Sequence, residues 1–102
     1  MRNETASGVR VKHLVADYEI WKREGFDRDP LGREESGVRR CRVLRAGDEP
    51  RLVAVELEFD RLAAAEAFVE ALAAMWRGVG DRFGWRELPQ ARIYELATVE
   101  EY

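Results

Sequence analysis

With 102 residues, 46% of them hydrophobic, the chain has the size of one domain and enough apolar side chains for one small core. Its net charge is −3 and its arginines are interleaved with glutamates, which argues against nucleic acid as the main partner because phosphate binding needs a basic excess. No apolar run approaches the ~18–20 residues of a membrane span, and a single cysteine excludes an internal disulfide and any multi-cysteine zinc site.

Residues 1–8 read as a flexible N-terminal tail. MRNETASG has no apolar stretch and so no secretory signal, which makes the cytoplasm the expected compartment. Residues 9–102 read as a single domain. Val9 to Val15 is the first strand, with Val9, Val11, His13 and Val15 on one face and Arg10, Lys12 and Leu14 on the other. Asp17 suits a helix N-cap. A short helix follows from Tyr18 to Glu24, with Tyr18, Trp21 and Ile20 as inward candidates and Gly25 as terminator.

Phe26 to Gly37 is a charged connector punctuated by Pro30, Gly32 and Gly37, with a helical turn around Arg33 to Ser36. Loops of this length are either functional or plain solvated connectors. Val38 to Leu44 and Leu52 to Phe59 then form a hairpin. One face carries Cys41, Val43, Val53, Val55, Leu57 and Phe59. The other carries Arg40, Arg42, Leu44, Leu52, Ala54, Glu56 and Glu58. Counting outward from a loop at Arg45 to Arg51 pairs Leu44 with Leu52, Arg42 with Ala54, and Arg40 with Glu56.

Asp60 is the expected cap of a second helix. Leu62, Ala65, Phe68, Val69, Leu72, Met75 and Trp76 recur there at helical spacing, and Gly78 and Gly80 end it. Gly78 to Gln90 reads as a loop anchored by Phe83 or Trp85, with Trp85 as a lid aromatic or a dimer contact. Pro89 leads into a last strand, Ala91 to Val99. The order β-α-β-β-α-β is that of an α+β, ferredoxin-like sandwich. Right-handed crossovers and hairpin pairing give the antiparallel sheet the order 4-1-3-2, with both helices on one face.

No phosphate-binding glycine loop, nucleophile elbow or HExxH is present. No metal or cofactor is expected. His13 alone titrates near neutrality; it is a general base or polar anchor in a cavity, or a hydrogen-bonded histidine at the end of a buried strand. Cys41 is a buried structural thiol or a reactive one. Arg40, Arg42, Glu56 and Glu58 line a polar pocket for an anionic or phenolic ligand, or form an ion-pair network between subunits or on a wetted surface. Trp21 is core or pocket wall. Tyr94 reaches the same cavity if its parity points away from the helices, a place for which Ile93 competes.

The Asp17-Tyr18-x-x-Trp21-Lys22 helix start, the Glu58-Phe59-Asp60 strand-to-helix junction, and the stretches LVAVELEFDRLAAAEAFVEAL and ARIYEL resemble the dimeric α+β barrel superfamily. More narrowly, Val9 to Leu96 is similar to the small proteins grouped with antibiotic-biosynthesis monooxygenases. The resemblance implies a homodimer whose two sheets pack face to face as a barrel, with the charged face lining its interior or the interface. Several members oxidise polycyclic phenols with dioxygen and no cofactor. Haem-degrading members use a helical axial histidine, which neither expected helix supplies.

Two functions follow as expectations. One is a cofactor-independent, monooxygenase-like pocket for a small aromatic or anionic ligand, with His13 and Glu56 as catalytic candidates and Trp21, Arg40, Arg42 and Tyr94 as ligand contacts. The other is a non-catalytic dimeric module that binds a small molecule or is purely structural. Neither involves nucleic acid or a membrane.

Overall fold

Apolar and charged side chains alternate along four segments, and these segments pair into one antiparallel sheet. In the computed structural model, which describes residues 7–83 and 88–102, they are β1 (Ser7–Leu14), β2 (Val38–Arg45), β3 (Leu52–Phe59) and β4 (Gln90–Glu95). Helix α1 (Tyr18–Glu24) and a 3-10 turn (Phe26–Arg28) link β1 to β2, and helix α2 (Leu62–Phe83) links β3 to β4. The sheet order β2-β3-β1-β4 is the ferredoxin-like order expected from the sequence, read from its other edge.

Both helical segments lie on one side. Val9 and Val11 from β1 and Val55, Leu57 and Phe59 from β3 meet Ala65, Phe68 and Leu72 of α2. Phe59 is 1% exposed and its ring sits 5.6 Å from that of Phe68 in a tilted pair. Full burial of such side chains stabilises the fold by ~1.5–3 kcal/mol each, so this layer dominates the energetics. Trp21, Phe26 and Leu31 extend the same cover.

Local geometry follows the sequence at the first helix. The Asp17 carboxylate accepts the Ile20 N–H at 2.9 Å, and the Gly25 N–H closes the helix on the Trp21 carbonyl. Ile20, an inward candidate, is exposed. The connector folds on itself. Arg33 lies over the Phe26 ring at 3.9 Å, donates to the Phe26 carbonyl at 3.0 Å and approaches Asp29 at 3.5 Å, while Ser36 Oγ donates to the Leu31 carbonyl. Gly37 sits at φ 101° where a Cβ would stand 3.4 Å from Ala64, so both its backbone and its neighbour favour glycine.

Five expectations are corrected. The hairpin register is two residues away from the one counted from the loop: Leu44 pairs with Ala54, Arg42 with Glu56 and Arg40 with Glu58. The ladder runs on past Arg45, because the Ala46 N–H bonds the Leu52 carbonyl at 3.0 Å and the turn is tighter than seven residues. An even shift preserves every face. Arg39 is an extra residue between Val38 and Arg40, a bulge that turns both Val38 and Cys41 toward the helices.

Asp60 does not cap α2. Its carboxylate holds the Arg39 Nε at 2.6 Å, and the first helical turn starts one residue later, with the Ala65 N–H on the Arg61 carbonyl. Gly78 and Gly80 do not end α2, which continues to Phe83. Packing on the sheet outweighs the ~1 kcal/mol each glycine costs a helix, and Gly80 is itself buried. The last strand stops at Glu95 rather than Val99.

The last correction concerns closure. The expected dimeric α+β barrel is not what this chain forms: its sheet is an open layer with β2 and β4 as its two edges. The two edge strands do not pair with each other, so the sheet is not closed.

Candidate functional site

The side of the sheet opposite the helices is open, and the strand registers fix what it displays. Leu14 stands opposite Leu52 at one end. The next row runs Leu44, Ala54, Lys12, Gln90 across all four strands. The row after that is Arg42, Glu56, Arg10, Arg92. The last is Arg40, Glu58, Gly8, Tyr94, in which Gly8 contributes no side chain. The face therefore has an apolar corner of Leu14, Leu44, Leu52 and Ala54 and a charged centre. Leu14 is 59% exposed, Leu44 42% and Leu52 38%.

Glu56 sits at the centre of the charges. It accepts from Arg42 at 2.6 Å and is also bonded by Arg10. Arg42 beside it holds the Glu56 carboxyl below its usual range, with Arg10 adding to the effect against partial burial. Arg40 reaches Glu58 through both Nε and Nη2, the latter at 2.6 Å. Arg10 also lies 5.8 Å from the Tyr94 ring centre. Lys12 and Arg92 have no carboxylate partner among the described residues. Among the described residues, Arg10, Lys12, Arg40, Arg42 and Arg92 share this face with Glu56 and Glu58 alone, so its described part is net positive on a chain of net charge −3.

The residues singled out from sequence divide between the two sides of the sheet. Arg40, Arg42, Glu56 and Tyr94 share the open face. His13 lies opposite Val53, which is fully buried on the helix side, and Trp21 packs against the core from α1. The sheet thus separates His13 and Trp21 from Glu56. Burial lowers the His13 pKa. Cys41 is half-buried under the connector that carries Arg33 and Asp29, and burial pushes its thiol pKa up. The connector braces the helix side and does not border the open face. Trp85 lies outside the described residues.

Sequence reasoning missed the contributions of Arg10, Lys12 and Arg92 to this face. The alternation of β1 already placed Arg10 and Lys12 opposite the valines, so the signal was present. Arg92 needed the register of β4. Among the described residues, no group of three His, Cys, Asp or Glu side chains is placed to hold a metal ion. No described helix is long and apolar enough to cross a membrane.

No family model matches the chain, and no curated protein or solved structure matches it either. The likeness to antibiotic-biosynthesis monooxygenases is therefore corrected, together with the monooxygenase-like pocket built on it. The short motifs that carried the likeness are accounted for locally. Asp17 and Tyr18 start a capped helix, and Glu58-Phe59-Asp60 supplies an ion pair, a core ring and a bulge contact. What stands is a ferredoxin-like α+β domain with an open sheet and one uncovered face.

Proposed function

We propose that the chain is a docking module that binds a polypeptide partner on its open sheet face. The observation that carries this reading is the contiguous corner of Leu14, Leu44, Leu52 and Ala54 beside Lys12 and Arg92, cations with no carboxylate partner among the described residues. An exposed apolar patch rimmed by charge is the usual mark of an association surface. Arginine and tyrosine, both present here, are enriched at such surfaces.

The chemistry selects the class of partner. Phosphate-rich partners are disfavoured, because β3 lies inside the sheet and places Glu56 and Glu58 in the middle of the face. A surface or segment mixing aliphatic and acidic residues fits both halves. The homodimer expected from the sequence is one assembly that covers this face.

The test is selection from a random-peptide display with the full chain as bait. Retained peptides should be rich in Asp or Glu together with Leu, Val or Tyr. Binding should weaken about tenfold for Leu44→Asp and for the double variant Lys12→Glu/Arg92→Glu, the loss expected for one well-placed contact. Selection of basic peptides, or retention indifferent to these substitutions, rules the reading out.

A further inference from the structure

The segment beyond β4 makes little contact with its own domain. Leu96 is 57% exposed, Val99 65% and Tyr102 fully so, and the segment has no regular secondary structure. Among the described residues its one side-chain hydrogen bond is internal, from the Tyr102 hydroxyl to Glu100 at 3.0 Å. It carries Glu100 and Glu101 and no cation. Exposed aliphatic and aromatic groups on an acidic segment are the composition that the open face requires.

We propose that Leu96–Tyr102 is an arm that docks on the open sheet face of a second copy of this chain. The inference rests on the docking reading above and names its occupant. Charge complementarity is specific. Among the described residues the face has two cations without carboxylate partners, Lys12 and Arg92, and the arm has two carboxylates, Glu100 and Glu101. Leu96, Val99 and Tyr102 supply apolar groups for the Leu14, Leu44 and Leu52 corner.

Reach favours the second copy over the arm's own domain. Glu95 pairs with Ser7, at the far end of β1 from Leu14. Seven residues of strand separate them, about 24 Å. The seven arm residues span at most about 24 Å when fully extended, and reversing direction uses part of that. The arm's apolar groups therefore fall short of their own domain's corner. A two-fold dimer exchanges arms reciprocally without this constraint.

The experiment is sedimentation of full-length chains at tens of micromolar. The native chain should sediment at twice the monomer mass. A face-reversed chain, Lys12→Glu/Arg92→Glu, should be monomeric, as should an arm-reversed chain, Glu100→Lys/Glu101→Lys. All four positions are exposed, and circular dichroism checks that each variant is folded. Mixing the two variants should restore the dimer, because each arm then meets a face of opposite charge. A monomeric native chain, dimers unaffected by either reversal, or a mixture that stays monomeric overturns the proposal. A monomeric native chain that still selects acidic peptides on its face removes the arm and leaves the docking reading; a chain that does neither removes both.

Discussion

Glu56 takes two guanidinium groups from neighbouring strands, so it is the residue whose charge most directly ties β1, β2 and β3 together on the open face. Replacing it with Gln keeps the shape and leaves Arg10 and Arg42 facing each other. The loss of stability at neutral pH should be about 0.5–1 kcal/mol, the upper part of the range for exposed pairs. Arg42 depresses the native Glu56 pKa, so the stabilisation is complete above the unfolded carboxylate value of about 4.3 and is lost as pH falls through the lower native value. Urea midpoints of native and Glu56→Gln chains should differ at pH 7 and draw together as pH falls below about 4. A gap unchanged at pH 3 would show that packing, not charge, is at stake. His13 behaves oppositely in cause but not in direction. Burial resists its protonation in the native state, while the unfolded chain takes the proton near the ordinary histidine value of about 6.5. Stability should therefore fall as pH drops through that value, and His13→Gln should flatten this part of the profile. At Cys41 burial holds the thiol protonated, so a polar thiol reagent should label the folded chain far more slowly than the urea-unfolded one. Equal rates would mean that the Cys41 face is uncovered.

At the scale of elements, the first helix was the most legible part of the sequence because its signals are local. Asp17 caps it, Gly25 closes it and the range Tyr18 to Glu24 is the one observed. Asp17→Ala should destabilise the chain by about 1 kcal/mol in thermal unfolding, while Asp17→Asn should be nearly silent. The strand faces were equally legible, since period two survives an even error in register, and the two-residue shift of the hairpin moved no side chain to the wrong side. What the sequence hid depends on contacts distant along the chain. Arg39 claims Asp60 from the cap of α2, and burial of α2 on the sheet carries the helix through Gly78 and Gly80. Neither effect has a local signature. The candidate site was half legible for the same reason. Arg40, Arg42 and Glu56 were placed together by alternation alone, whereas His13 and Trp21 were joined to them without regard to the sheet that lies between. The parity of Tyr94 was settled only when Gly8 became its neighbour across β1 and β4.

At the scale of the whole molecule, the fold is two layers, and nearly all its apolar burial lies between them. The central strands β1 and β3 carry the fully buried Val9, Val53 and Phe59, while β2 and β4 are edges. No residue of α1 is itself fully buried. Local stability should follow this gradient, because opening free energy tracks the apolar surface a segment exposes when it opens. Amide exchange should be slowest in β1 and β3, near the global unfolding limit, faster in β2 and β4, and fastest in α1. Phe59→Ala tests the same picture from the centre. Phe59 is 1% exposed, packs on Phe68 and lies against Gly37, so truncation empties the contact between sheet, α2 and connector at once. The cost should be about 3–5 kcal/mol by urea unfolding, which is a large share of the stability of a domain this size. Because both layers lose the same contact, protection in β3 and α2 should fall together and by the same factor. If protection fell in β3 alone, the sheet and α2 would be separately stable units, and the single two-layer core would be the wrong description of this chain.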